Sequence, residues 1–306
     1  MKNYNKISVL RKRFVSTALV IALIAPITNV SFAYDILDTN VKNTMNATNK
    51  ENEVDGELET PRKGEESKEE SETPEEGILF KDAFDDVNFK KYIKEKILKE
   101  PKLNENEFVI TSDTFSETTT IWLNDDYIKS LKGIEYFQNL TTLISSKNPL
   151  KTLDLSKNTK LEGVSIYDTT DLYKLDLSKN TNLKTINCIS NYISEVALPQ
   201  NVILDSLNLS NNKLSNLNLN GITQVNELDC SYNKLASLDL PNLNIKKLVC
   251  SKNYLTKLDL SNNLNLTSLE CYGNNLSNID LSQCTNLIKG NIGLQQTEYE
   301  LTTHNG

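Results

Sequence analysis

Seven units of one pattern, L-x-x-L-x-[LC]-x-x-N-x-L-x-x-L-D-L with substitutions, begin at Leu140, Leu161, Leu183, Leu204, Val225, Ile245 and Leu266. Their spacings are 21, 22, 21, 21, 20 and 21 residues. A degenerate entry unit (Ile121, Leu123, Ile128, Leu131) precedes them, and a fading unit begins at Leu287. A unit this short cannot bury an apolar face alone, so the chain must stack successive units around one shared core. The repeat therefore constrains the fold more than any other feature of the sequence. It predicts an α/β solenoid of about seven repeats of 20–22 residues.

Within a unit such as "LDCSYNKLASLDL" (228–240), the alternation at Leu228 and Cys230 is that of a short inward-packed strand. Strands from successive units then form a parallel sheet on the concave side. Leu235, Leu238 and Leu240 line the opposite, convex wall, which has room only for extended chain or single 3₁₀ turns. The Asn sits where the strand turns away and its backbone groups lose their sheet partners. A short amide supplies both donors and an acceptor to such groups. Asn148, Asn191, Asn212, Asn233, Asn253 and Asn274 fill this position, Thr169 being the departure, and the column is expected to be structural.

The unit resembles a leucine-rich repeat, and "IKSLKGIEYFQNLTTL" (128–143) is similar to the first repeats of internalin-type surface proteins. "FKDAFDDVNFKKYIKEKILKEPKLNENEFVIT" (80–111) is similar to the helical amino-terminal cap of exported Gram-positive leucine-rich repeat proteins. The resemblance implies a leucine-rich repeat horseshoe with a small helical cap. It also implies adhesion to, or recognition of, host-cell receptors. The residues themselves place Phe84, Val87, Tyr92 and Ile93 on one helical face closing the first rung. Asn104 and Glu107 read as a capping box opening a second short helix. "KEPKLNENE" (99–107) lacks the Asp and Gly of a calcium loop.

Flanking segments complete the expected organisation. Residues 1–33 carry a basic start, an apolar run of 13 residues (15–27) and then Ser31 and Ala33. That order is a signal peptide cleaved after Ala33, and its apolar run is too short to span a bilayer. Residues 34–77 form an acidic linker; its 51–77 portion has 12 Asp/Glu against 3 Lys/Arg and almost nothing to bury, so it should stay disordered. Residues 78–117 are the expected cap, 118–286 the repeats, and 287–306 a degenerate repeat or truncated carboxy-terminal cap. From the chain's −8, setting aside the +5 of residues 1–33 and the −9 of 51–77 leaves 78–306 at −4. No basic stripe suggests a nucleic-acid partner.

Catalytic chemistry finds few candidates. The one histidine, His304, leaves no imidazole within the repeats for a nucleophilic triad or a zinc cluster. Cys188, Cys230, Cys250 and Cys271 share one inward column and read as small buried hydrophobes, with a Cys250–Cys271 disulfide as the less favoured alternative. The convex column Asp154, Asp176, Ala197, Asn218, Asp239, Asp259, Asp280 reads as solvated hydrogen-bond acceptors. Like charges one rung apart should raise some of their pKa values.

Strand positions between the inward ones should face the concave surface. They form a central column (Ile144, Ser165, Asn187, Asn208, Asp229, Val249, Glu270) and a neighbouring one (Ser146, Tyr167, Ile189, Ser210, Ser231, Ser251, Tyr272). Tyr167, Asn187, Asp229, Glu270 and Tyr272 are the expected partner contacts, and Ser231, on the same exposed face, should be dispensable for stability. The functional expectation is a secreted or cell-surface monomer that binds a protein partner, a host-cell receptor, without cofactor, metal or catalysis. A scaffold that binds cell-wall glycan or regulates a separate enzyme is the alternative.

Overall fold

The computed structural model describes residues 77–293, 295 and 300–302, all within one unit, Thr73–Gly306. The expected signal peptide and, apart from Gly77, the acidic linker lie outside the described residues. Fifteen strands follow in chain order: β1 (Ile78–Leu79), β2 (Val109–Ile110), β3 (Thr120–Asn124), β4 (Thr142–Ser146), β5 (Gly163–Tyr167), β6 (Lys174–Asp176), β7 (Thr185–Asn187), β8 (Glu195–Ala197), β9 (Val202–Asn208), β10 (Ile222–Asp229), β11 (Lys247–Val249), β12 (Ser268–Glu270), β13 (Asn278–Asp280), β14 (Lys289–Asn291) and β15 (Glu300–Thr302). Nine of these described strands form one parallel sheet, ordered β14-β12-β11-β10-β9-β7-β5-β4-β3. The degenerate entry unit supplies β3 and the fading unit supplies β14, so both join the same sheet.

Each circuit of the chain is one rung: a sheet strand, a turn, an extended opposite wall and a return corner. The inward residues Leu143, Val164, Ile186, Leu207, Leu228, Leu248 and Leu269 are fully buried, one per rung, as stacking on a common core requires. The opposite wall runs extended, with β6 paired to β8 and β13 to β15, both parallel. Ile134–Tyr136 forms one turn of 3₁₀ helix.

A second buried Asn column, absent from the repeat consensus above, fills the return corner. Asn158 Nδ2 donates to the Ile134 and Phe137 carbonyls (2.9 and 3.1 Å), and Asn180 Nδ2 to those of Leu155 and Asn158 (both 3.0 Å). Asn263 occupies the same corner fully buried, yet neither amide atom has a hydrogen-bond partner among the described residues. The rung beneath it is the 20-residue one, where buried Leu243 stands at the corner.

Over the first rung lie α1 (Phe80–Ala83) and α2 (Val87–Tyr92), followed by a wider turn, Ile93–Ile97, closed by the Leu98 N–H on the Ile93 carbonyl (2.8 Å). One Asp86 oxygen caps α2 by accepting from Asn88 and Phe89 N–H (2.8 and 3.0 Å), and the other accepts from Lys129 N–H of the first rung (2.8 Å). The Tyr92 hydroxyl accepts the Trp122 N–H at 3.2 Å, satisfying a donor on the open edge of β3. Gly133, at φ 99°, lies so close that a Cβ there would sit 2.1 Å from the Phe84 ring.

Two expectations for this segment need correction. Val87 is 74 % exposed; Phe89 takes the inward place because Asp86 sets where the helix begins. Asn104 opens a single turn rather than a helix, its carbonyl accepting from Glu107 and Phe108 N–H (3.1 and 3.0 Å).

Candidate binding surface

The turn that ends each sheet strand is built by the Asn column acting between rungs. Asn233 Oδ1 accepts the Leu214 N–H of the preceding rung at 3.0 Å. Its Nδ2 donates to Leu209 of that rung (2.9 Å) and to Cys230 and Ser231 of its own (3.1 and 3.2 Å). Asn212, Asn253 and Asn274 repeat the arrangement on Ile193, Leu235 and Leu255 N–H. Asn148 accepts from Ile128 N–H and Asn191 from Thr169 N–H, with the Thr169 hydroxyl donating to the same oxygen. Gln295 fills the slot in the last rung, its Oε1 3.4 Å from Leu276 N and its Nε2 donating to Cys271 and Ile292.

The residue just before this column is left-handed in eight successive rungs: Asp125, Lys147, Asp168, Ser190, Asn211, Tyr232 and Lys252 at φ 53–57°, and Gly273 at φ 69°. That conformation strains residues bearing a Cβ. It is held by the N–H of each turn, as where Tyr232 donates to the Ser251 carbonyl and Lys252 to that of Tyr272 (2.9 and 2.8 Å).

On the outward face of the sheet, Trp122, Ile144, Ser165, Asn187, Asn208, Asp229, Val249, Glu270 and Asn291 stand in register across nine strands. Strands lie about 4.8 Å apart, so side chains of neighbouring rungs crowd one another on this face. Asp229 is accordingly 7 % exposed and Tyr167 9 %, against the expectation that both face solvent. Ser210, Ser231 and Ser251 are buried too. Asn187, Glu270 and Tyr272 stay half-buried, as do Trp122, Ile144 and Ile189.

Asp229 Oδ1 accepts from both the N–H and the hydroxyl of Ser231 (2.9 and 2.6 Å), so Ser231 is a partner within the face, not a dispensable surface residue. Burial pushes the Asp229 carboxyl above its ordinary pKa, opposed by the Ser231 hydrogen bonds and Lys247, with Glu270 adding to the rise. Three occluded polar atoms of this face, Trp122 Nε1, Asn187 Oδ1 and Ser251 Oγ, have no hydrogen-bond partner among the described residues.

Exposed tyrosines gather beside the face, along the turns that leave it. Tyr173, Tyr192, Tyr232 and Tyr254 are 45–56 % exposed. The Tyr173 and Tyr192 rings meet edge to face at 6.3 Å, and Lys213 Nζ lies 5.4 Å from the Tyr192 centroid. Tyr232 and Tyr272 bring their hydroxyls within 3.4 Å across the intervening rung, and Lys252 Nζ lies 5.8 Å from the Tyr272 centroid. That hydroxyl contact, with burial, pushes the Tyr272 phenol up to about 12. Reading the strand alternation alone missed this edge, although the alternation of Tyr and Lys one residue either side of the Asn column signals it.

The acid column on the opposite wall behaves otherwise than its like charges suggest. Ser156 N–H donates to Asp154, Ser178 to Asp176, Ser261 to Asp259 and Ser282 to Asp280, all at 2.8–2.9 Å. Hydrogen bonds from these serines, backbone and hydroxyl, hold all four carboxyls below the ordinary range. Repulsion between Asp154 and Asp176 is present and smaller, which corrects the expected rise. On the inward side Cys188, Cys230, Cys250 and Cys271 are fully buried free thiols. Burial pushes the Cys188 and Cys271 thiols up to about 12 and raises those of Cys230 and Cys250 as well.

No family model matches the sequence, and no curated protein matches it. Solved structures do. A leucine-rich repeat protein of Leptospira interrogans is 20 % identical with a TM-score of 0.50, over 60 % of this chain and 57 % of that one. The functional domain of InlJ from Listeria monocytogenes, which includes a cysteine ladder, is 23 % identical with a TM-score of 0.31, over 71 % of this chain and 61 % of that one. Internalin C2 from Listeria monocytogenes is 16 % identical with a TM-score of 0.46, over 76 % of this chain and all of that one. This chain thus spans about three-fifths of the first two structures. The likeness is one of fold: the chain is a leucine-rich repeat solenoid, and the solved structures similar to it include internalins.

Proposed function

We propose that the chain is a secreted recognition scaffold that performs no catalysis and binds a protein partner, a host-cell surface receptor, on the outward face of its sheet. One observation carries this reading. The in-register column from Trp122 to Asn291 changes chemistry at almost every rung, while the buried residue that precedes it stays aliphatic from Ile121 to Leu269. A fixed core with an adjustable face suits recognition. Asn187, Glu270 and Tyr272 make direct contact in this reading, whereas buried Tyr167 and Asp229 support the surface from within.

The test is capture of host surface proteins by the purified protein, repeated with a Trp122→Ala, Glu270→Ala, Tyr272→Ala variant. The variant should bind the captured receptor more than about tenfold more weakly, a loss of roughly 1.4 kcal/mol, with its unfolding midpoint little changed. Equal affinity would remove the sheet face as the site. Export is tested separately by intact mass: the mature protein should begin at Tyr34, and retention of Met1 would exclude cleavage after Ala33.

A further inference from the structure

The turns beside the sheet form a second surface whose chemistry differs from that of the face. Tyr192, Lys213, Lys234 and Tyr254 each follow the column Asn in four successive rungs, and all are exposed. Their stacking is fixed by the backbone: Lys213 N–H donates to the Ile193 carbonyl, Lys234 to Leu214 and Tyr254 to Leu235, each at 2.8 Å. Tyr232 and Lys252, left-handed and exposed, precede the column Asn in their own rungs. Charge here is one-sided. Turn segments 190–195, 211–216, 232–237, 252–257 and 273–278 contain Lys213, Lys234, Lys252 and Lys257 against Glu195. That glutamate is already paired with Lys174 at 3.3 Å. A basic edge on a segment (78–306) of net −4 is a segregation of charge, not its average.

We propose that this Tyr/Lys edge binds a linear acidic glycan lying along the stack of rungs. Rungs are about 4.8 Å apart, so a polymer on this line meets a new tyrosine or ammonium at every rung over roughly 14 Å. The ammonium groups meet sulfate or carboxylate groups in charge-assisted hydrogen bonds. The phenols offer an apolar ring with a hydroxyl tip, matching a pyranose with its C–H face and polar rim. A polypeptide fits less well. The turn N–H groups named above are spent within the scaffold, and the edge offers no strand for an extended peptide to pair with.

The experiment measures the affinity of the full chain for heparin, with neutral dextran, polyglutamate and a single-stranded oligonucleotide as comparisons. Lys213→Ala, Lys234→Ala, Lys252→Ala together should weaken heparin binding about tenfold and flatten its salt dependence. Lys157→Ala, Lys179→Ala, Lys289→Ala together change the net charge equally away from the edge and should alter affinity by less than about twofold. Tyr192→Ala with Tyr254→Ala leaves the charge unchanged and should cost about fivefold on heparin but nothing on polyglutamate. Three results would overturn the proposal: no binding above dextran, equal losses in the two lysine triples, or tighter binding of polyglutamate or the oligonucleotide. Each leaves the sheet-face reading standing, because that reading is judged by receptor capture with the Trp122, Glu270 and Tyr272 variant and not by heparin affinity.

Discussion

The Ser231 hydroxyl donates to Asp229 Oδ1 at 2.6 Å, and the pair is buried on a face where alternation alone would leave both in water. One rung away Ser210 makes the same two hydrogen bonds to Asn208, its N–H at 2.9 Å and its hydroxyl at 2.7 Å. The fold thus accepts an amide or a carboxylate at this position with one geometry. Ser231→Ala should therefore cost about 1–2 kcal/mol rather than nothing, since it strips a donor from a buried, charged acceptor.

Asp229→Asn follows with the opposite sign. Burial raises the folded-state pKa of Asp229, so its contribution to stability is full below the ordinary carboxylate pKa and is lost as pH rises through the folded value. At pH 7 the buried charge is a cost that the amide removes. The variant should unfold at a higher midpoint than the parent at pH 7, with the gap closing as pH falls toward about 4. A gap that widens in acid would contradict the assignment.

Asn233→Ala tests the column that joins rungs. It leaves the buried Leu214 N–H without its amide acceptor and takes one of two amide donors from each of the Leu209 and Cys230 carbonyls, which keep Asn212 and Asn253. The loss should be about 1–3 kcal/mol by denaturant unfolding. Lys234→Ala, next in sequence and exposed, should stay within about 0.5 kcal/mol. Similar midpoints for the two variants would mean that the amide does not join rungs.

Asp176 provides a pH test on the opposite wall. The Ser178 hydroxyl and N–H hold its carboxyl below the ordinary range, so its contribution is present above the ordinary carboxylate pKa and lost as pH falls through the folded value. Ser178→Ala removes the hydroxyl bond and keeps the N–H bond. Carboxyl titration by NMR should show Asp176 moving upward in the variant, with Asp259, several rungs away, unmoved. An unchanged Asp176 would reassign its depression to the retained Ser178 N–H bond, with Lys174 and Lys179 behind it.

How much of this was legible in the sequence divides by range. Leu228, Cys230 and Asn233 recur at a fixed offset in a short unit, so their roles follow from the period and from backbone accounting. The burial of Asp229 and Ser231 depends on what stands about 4.8 Å to either side in rungs 21 residues before and 20 after, and no single unit contains that information. The inward choice of Phe89 over Val87 rests on which acid caps α2, where Asp85 and Asp86 are both on offer. The corner column of Asn158, Asn180 and Asn263 is interrupted by the rungs around Gly221 and Leu243, so its period is broken in the text although its place in the fold is not.

That interruption yields the last prediction. Asn180 and Asn263 occupy equivalent corners and both are fully buried. Asn180 Nδ2 finds the Leu155 and Asn158 carbonyls of the preceding rung at 3.0 Å, whereas both amide atoms of Asn263 are without a hydrogen-bond partner among the described residues. A buried amide with no partner costs about 1–3 kcal/mol, and an apolar group of similar size removes that cost. Leu243 already stands at the corner one rung below. Asn263→Leu should therefore hold or raise the unfolding midpoint, while Asn180→Leu, which removes one of the two hydrogen bonds on each of the Leu155 and Asn158 carbonyls, should lower stability by about 1–3 kcal/mol. If Asn263→Leu is as damaging as Asn180→Leu, the Asn263 amide is satisfied in solution, and the 20-residue rung leaves no polar gap at its corner.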